Sequence, residues 1–284
     1  MSVTADRKEL LPFLGISLMM VLALPVLFLL EAIPTEGRGK SSVTGYPSQP
    51  QTLDLALSEL IDTPDIEQKK RDFFGLLKPM IALENSFILQ QRSWVQSLDL
   101  NQLSDEQKQR LLTLLQEYKL ADEDNEKLFS DTAELRTLID ELLLRVSPIP
   151  AELVLVQAAN ESAWGRSRFA REGNNLFGQW CFSRGCGLVP SQRPKGQYHE
   201  VAVFKSPQLS IRAYLKNLNS FWAYDDFREA RAAKPELEGA EQAVYLAEHL
   251  TRYSQRGEAY VRELKEMVQV NSHLIEQTSS EYLR

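Results

Sequence analysis

The sequence predicts a mainly α-helical protein with one small β-hairpin lobe and a membrane-spanning helix near its N-terminus. Three observations carry that prediction. Leu10 to Leu30 runs for 21 residues without a charge. Apolar residues recur at helical spacing through Leu53 to Val146 and again in the last third of the chain. One stretch, Gln197 to Phe204, alternates as a strand does and is rich in Val, Tyr and Phe.

The uncharged run has the ~20 residues that a helix needs to cross the hydrocarbon core. Pro12 and Pro25 do not exclude a span, because membrane helices tolerate proline. A cleaved signal has an apolar core of about 7–15 residues, and Glu31-Ala-Ile-Pro-Thr-Glu36 offers no small-residue cleavage site. Residues 10–30 are therefore expected to be an uncleaved signal anchor, with residues 1–9 a cytoplasmic tail and the rest on the far side of the membrane. Residues 31–51, with Gly37, Gly39, Gly45 and prolines at 34, 47 and 50, read as a flexible linker reaching roughly 25 Å from the bilayer.

Residues 52–146 read as a helical pre-domain. Phe73, Leu77, Met80, Ile81, Phe87 and Ile88 keep helical spacing, as do Leu128, Leu135, Leu138, Ile139, Leu142 and Val146. Ser104-Asp-Glu-Gln107 has the form of a capping box, and Pro79 predicts a kink or a break. Nothing here has catalytic spacing. The leucine rows are expected to pack on the unit formed by residues 147–284, the alternative being an exposed coiled-coil face.

Charge is unevenly placed. The chain carries -7 overall, yet residues 161 to 216 hold nine Lys and Arg against three Glu, a local balance of +6. That suits a polymer bearing carboxylates, although a solvated basic face is an equal reading. No basic stripe is interleaved with aromatics, so nucleic acid is not an expected partner.

Leu153, Val154, Leu155, Val156, Ala158 and Ala159 are apolar on nearly every side, which predicts a buried helix. Pro150 suits its first turn and Gly165 a left-handed cap. Gln157, Asn160, Glu161 and Trp164 are spaced by three and four and so form one stripe, expected to line a cleft. Glu161 falls in the last turn, where the negative end of the helix dipole and apolar neighbours both disfavour its charge. A carboxylic acid with a raised pKa is what a general acid requires. Taken alone, a helical Glu is more often a loop cap or a partner of a residue such as Arg166 or Arg168.

Gln157-Ala-Ala-Asn-Glu-Ser-Ala-Trp-Gly-Arg-Ser167 followed by Asn174-Asn-Leu-Phe-Gly178 resembles the signature of the peptidoglycan N-acetylglucosaminidases of glycoside hydrolase family 73. Gln179-Trp-Cys-Phe, Cys186-Gly-Leu-Val-Pro190 and Tyr253-Ser-Gln-Arg-Gly257 point to the Bax-type branch, and the resemblance covers about residues 147 to 272. It implies a lysozyme-like catalytic domain with Glu161 as the acid. It also implies an endo-β-N-acetylglucosaminidase acting on peptidoglycan glycan strands, on the periplasmic face of the inner membrane if the anchor holds. The same fold serves lytic transglycosylases and muramidases, and a non-catalytic wall-binding adaptor is a further alternative.

The second carboxylate expected in this family's small lobe maps onto Glu200, within a His-Glu-Val context that departs from the family's Glu-Tyr pair; Asp225 and Asp226 are the fallbacks. The family's substrates can instead supply their own acetamido group as nucleophile. The resemblance carries a cleft tyrosine onto Tyr224. Trp164, Phe177, Trp180 and Tyr224 are expected to offer aromatic faces to sugar rings, with Gln157, Asn160, Asn175 and Tyr260 as further substrate-binding residues.

Cys181 and Cys186 are the only cysteines. In an oxidising compartment they would close a small loop, with Gly185 permitting the turn; two free thiols or a metal site are the rivals. Two cysteines and the scattered His199, His249 and His273 make a poor zinc set, so neither metal nor organic cofactor is expected.

Overall fold

The computed structural model describes residues 47–60, 64–122, 126–191, 193, 196 and 198–278. The expected tail, the membrane segment 10–30 and most of the linker lie outside the described residues. Among the described residues no helix is long and apolar enough to cross a membrane.

The chain opens with helix α1, Ile66–Gln96, whose first turn is capped by the Asp65 carboxylate accepting from the amides of Glu67 and Gln68. Pro79 sits inside this 31-residue helix without ending it. Helix α2, Asp105–Glu117, begins with the expected capping box between Ser104 and Gln107. Helix α3, Thr132–Arg145, follows, and then α4, Ala151–Ser162. A short α5, Arg168–Gly173, leads into the sheet, and α6, Pro207–Ser220, leaves it. Helices α7, Asp225–Ala233, α8, Gly239–Ala247, and α9, Glu258–Gln277, complete the order.

Helix α4 is the axis of the body because it has no polar face until its last turn. Every residue from Leu153 to Ala159 is fully buried, and α1, α8 and α9 pack around it. Each buried Leu or Val side chain contributes roughly 1.5–3 kcal/mol relative to exposure. One hydrophobic core runs through Phe73, Leu77 and Ile81 of α1, Leu111 and Leu115 of α2, Leu142 of α3, and the apolar faces of α4, α6, α8 and α9. The segment before residue 147 is thus continuous in packing with the segment after it.

Polar seams join the same elements. Arg231 of α7 donates to the carbonyls of Leu144 (2.7 Å) and Ser147 (3.1 Å), and Arg228 to those of Leu218 and Phe221 at 3.0 and 2.9 Å. Burial, ahead of the neighbouring Arg228, lowers the Arg231 pKa to about 9. The orphan carbonyls at the ends of α3 and α6 are therefore capped from a different helix. At the other end, Arg212 of α6 grips the buried Glu84 of α1 at 2.8 and 2.9 Å and donates to Pro50, while Gln208 bonds Gln51 and Leu53. Residues 50–53 lie against the body here, so the described end of the expected linker is bound.

The expected hairpin is instead a three-stranded antiparallel sheet. Strands β1, Trp180–Cys181, and β2, Gly187–Leu188, flank the central β3, Glu200–Ala202. The predicted strand over 197–204 shrinks to three residues, all buried, with pairing on both edges. Its partners are two residues each, too short to show any alternation in the sequence. Gly187 lies so close to the Val201 carbonyl that a Cβ would overlap it.

Candidate active site

Glu161 stands one residue before the end of α4, and the chain turns sharply after it. Ala163, Trp164 and Gly165 all have left-handed φ, of 51°, 60° and 75°. The cap expected at Gly165 thus begins at Ala163, and two non-glycine residues carry a conformation costing each about 1–2 kcal/mol. Hydrogen bonds hold the turn: Trp164 N to Ala159 O at 2.9 Å, Gly165 N to Ser162 Oγ at 2.7 Å and Ser167 N to Ser162 O at 2.8 Å.

Glu161 is half-buried, and four tyrosines converge on it. Tyr214 comes from α6, Tyr224 from the 3₁₀ turn before α7, Tyr253 from the turn before α9, and Tyr260 from α9 itself. Tyr253 stacks on Tyr260 with centroids 5.6 Å apart and meets Tyr214 edge-on at 6.3 Å. Tyr260 faces the Glu161 carboxyl closely enough to influence its pKa, and its hydroxyl oxygen accepts from Gln157 Nε2 at 3.0 Å. The Tyr214 hydroxyl donates to Gln157 Oε1. Gln157, one turn before Glu161, therefore fixes two of the phenols.

Burial is the largest influence on Glu161 and raises its pKa to about 7; Glu263 adds to the rise, while the facing Tyr260 hydroxyl and the charge of Arg256 oppose it. Arg256 pairs with Glu263 at 2.7 Å. Burial also pushes the pKa values of Tyr214, Tyr253 and Tyr260 well above the ordinary phenol range, so they remain hydrogen-bond donors. A carboxyl protonated at neutrality beside neutral phenols can deliver a proton to a leaving oxygen.

The residues singled out in the sequence separate into two groups. Gln157, Glu161, Tyr224 and Tyr260 come together, and Phe177 joins them by stacking on Tyr214 at 3.9 Å and 11°. Gln157 is fully buried and spent on the phenols, so it is a scaffold for the acid. Asn160 is half-buried, with no partner for its Nδ2. Trp164 turns towards α1, packing on Phe73 and Phe74. Trp180 stacks on His199 at 4.1 Å in the small lobe. Asn175 is buried, donating to Gln179 O and Ala202 O at 2.8 Å each and accepting from Phe177 N and Gln179 N. It knots the α5–β1 loop to the sheet.

Glu200 lies in β3, and its two carboxylate oxygens accept the amides of Gly185 (3.1 Å) and Gly187 (2.9 Å). The Gly185 bond, followed by that of Gly187, lowers its pKa despite the opposing effect of burial. It is an anion latched to the turn between Cys181 and Cys186, which are joined in a disulfide with Cα atoms 6.2 Å apart. Gly185 has the left-handed φ of 78° expected of it. Cys181, Cys186 and Glu200 form the one cluster among the described residues with metal-ligand proximity, and with both sulfurs spent in the disulfide that donor set does not suit an ion. Asp225 and Asp226 are exposed in the first turn of α7, and Asp225 pairs with Arg228.

Tyr214 and Arg256 and Glu263 were not legible as site residues. Arg256 lies within the Tyr253-Ser-Gln-Arg-Gly257 motif, and Glu263 follows Tyr260 by three on one face of α9; Tyr214 carries no comparable signal.

A half-buried acid facing four phenols, at the end of the buried helix α4, suits acid-catalysed cleavage of a glycosidic bond. Residues 141–273 match the family described as Glucosaminidase, mannosyl-glycoprotein endo-beta-N-acetylglucosaminidase. The chain is 32% identical over 221 residues to Protein bax of Escherichia coli (strain K12), an alignment spanning 78% of this chain and 76% of that protein. The chain belongs to the glucosaminidase-domain family, as a Bax-type member. No solved structure matches it.

Proposed function

We propose that the protein is an endo-β-N-acetylglucosaminidase that hydrolyses the β-1,4 bond following N-acetylglucosamine in peptidoglycan, with Glu161 as general acid. The observation that carries this reading is the half-buried Glu161 carboxyl in the last turn of α4, facing four phenols, with its pKa raised by burial to about 7. It protonates the departing glycosidic oxygen, with Tyr260 facing it. Tyr253, half-buried where Phe177, Tyr214, Tyr224 and Tyr260 are buried, is the ring of this cluster that can offer a face to a sugar. The basic excess over residues 161 to 216 favours a substrate bearing stem-peptide carboxylates.

With both Glu200 oxygens engaged by backbone amides, the substrate's own acetamido oxygen attacks C1 as the protonated glycosidic oxygen leaves, and water, giving its proton to the Glu161 carboxylate, then opens the resulting oxazolinium ion. The same single acid supports a second reading, a lytic transglycosylase cutting after N-acetylmuramic acid. The uncharged run 10–30 supports an inner-membrane anchor with the enzyme in the periplasm, and the disulfide suits that oxidising compartment.

The test is end-group analysis by mass spectrometry of sacculi digested with the full chain. New reducing N-acetylglucosamine ends support the proposal. Anhydro-muramic ends support the transglycosylase, and reducing muramic acid ends a muramidase. No new ends in wild type and Glu161→Gln alike would leave a wall-binding adaptor.

A further inference from the structure

We propose that α1, which precedes the glucosaminidase domain, is a working part of the site: Phe73 and Phe74 grip Trp164 and so hold the turn that sets where Glu161 stands. This rests on Glu161 being the acid. Trp164 is then a positioning residue, and its ring is withdrawn from any sugar.

The turn needs holding. Left-handed Ala163 and Trp164 are strained, and such conformations persist only where the surroundings over-determine them. The grip is aromatic. The Trp164 ring lies 5.6 Å from Phe73 at 68° and 5.4 Å from Phe74 at 58°, with Lys70 Nζ 5.5 Å from its centroid. Edge-on and tilted contacts of this kind are favourable beyond the area they bury. The strap before α1 closes the other side, since a Cβ on Gly165 would lie 3.0 Å from Leu60 and 3.5 Å from Phe73.

The grip reaches Glu161 through the backbone. Helix ends fray when released, and Glu161 is the penultimate residue of α4. The bond from Trp164 N to Ala159 O spans it, so freeing the tryptophan frees the cap around the acid. The groups that face Glu161 are Tyr214, Tyr224, Tyr253, Arg256, Tyr260 and Glu263, and none belongs to α1. Letting the end of α4 move relative to that set therefore changes both proton delivery and the environment of the carboxyl.

The experiment compares the full-length wild type with Trp164→Ala, Trp164→Phe and the double variant Phe73→Leu, Phe74→Leu. Kinetics on soluble glycan strands are measured beside the 13C titration of the Glu161 carboxyl, identified by its loss in Glu161→Gln. In folded Trp164→Ala and the double variant, kcat should fall about 10- to 100-fold with KM nearly unchanged. The Glu161 midpoint should drop towards the ordinary glutamate range, and Trp164→Phe should recover most of both. Unchanged kcat and titration would reduce the contact to packing, and a raised KM with normal kcat would restore Trp164 as a sugar-binding wall. If Trp164→Ala does not fold, the double variant decides. If the wild type cleaves no glycan, the reading of the activity fails, while the titration still answers whether α1 sets the carboxyl.

Discussion

Tyr260 and Gln157 are joined by a hydrogen bond of 3.0 Å, and the phenol held in this way faces the Glu161 carboxyl. Both Gln157 and Glu161 come from α4, so one helix supplies the acid and the side chain that aims its partner. Burial raises the carboxyl pKa, and the facing Tyr260 hydroxyl restrains the rise.

Removing the restraint should push the acid further up. Tyr260→Phe and Arg256→Ala each delete an influence that lowers the Glu161 pKa, so the alkaline limb of kcat/KM, which falls as Glu161 loses its proton, should move to higher pH. Glu263→Gln deletes an influence that raises it, and the limb should move down. A pH–rate series on glycan strands measures all three; shifts of one sign for Arg256→Ala and Glu263→Gln would contradict the electrostatic account.

Glu161 should also cost stability at neutral pH. Its folded pKa of about 7 lies above the 4.5 of an unperturbed glutamate, so the native state binds more protons between those values and stability declines as pH rises through that window. Glu161→Gln should abolish turnover yet raise the melting temperature at pH 8 relative to wild type, by an amount corresponding to roughly 2–3 kcal/mol. The difference should vanish near pH 4.

Glu200→Gln should behave as a loosened latch. The folded pKa of Glu200 is lowered, so its contribution is present above the unfolded value and lost as pH falls through the folded one. The variant should melt earlier than wild type at neutral pH, converge with it in acid, and keep substantial turnover. Loss of turnover comparable to that of Glu161→Gln, in a protein that melts normally, would make Glu200 a catalytic carboxylate after all.

Gly187→Ala should be the most damaging change in the small lobe. The new methyl overlaps the Val201 carbonyl across the β2–β3 pair, and backbone cannot rotate aside as a side chain can. Destabilisation of about 3 kcal/mol or more, the upper end for overpacking, is expected by urea titration.

Composition and spacing were enough for the helical class, the capping box at Ser104, the buried character of α4 and the place of Glu161 in its last turn; they made the Cys181–Cys186 bridge one of three readings, and the structure shows the bridge. Each depends on local rules, the 3.6-residue period, a cap within four residues or a turn that glycine permits. The roles of Trp164, Trp180, Gln157 and Glu200 were not legible, because an aromatic or polar side chain serves a sugar, a core or a backbone amide with the same chemistry. Which of these it meets is settled by residues far along the chain: Phe73 and Phe74 for Trp164, Tyr214 and Tyr260 for Gln157. The sequence by itself determined that a carboxylic acid would sit at the end of an apolar helix. Only the tertiary structure decided which side chains surround it, because a shifted pKa and a hydrogen bond arise from distances that no sequence spacing records.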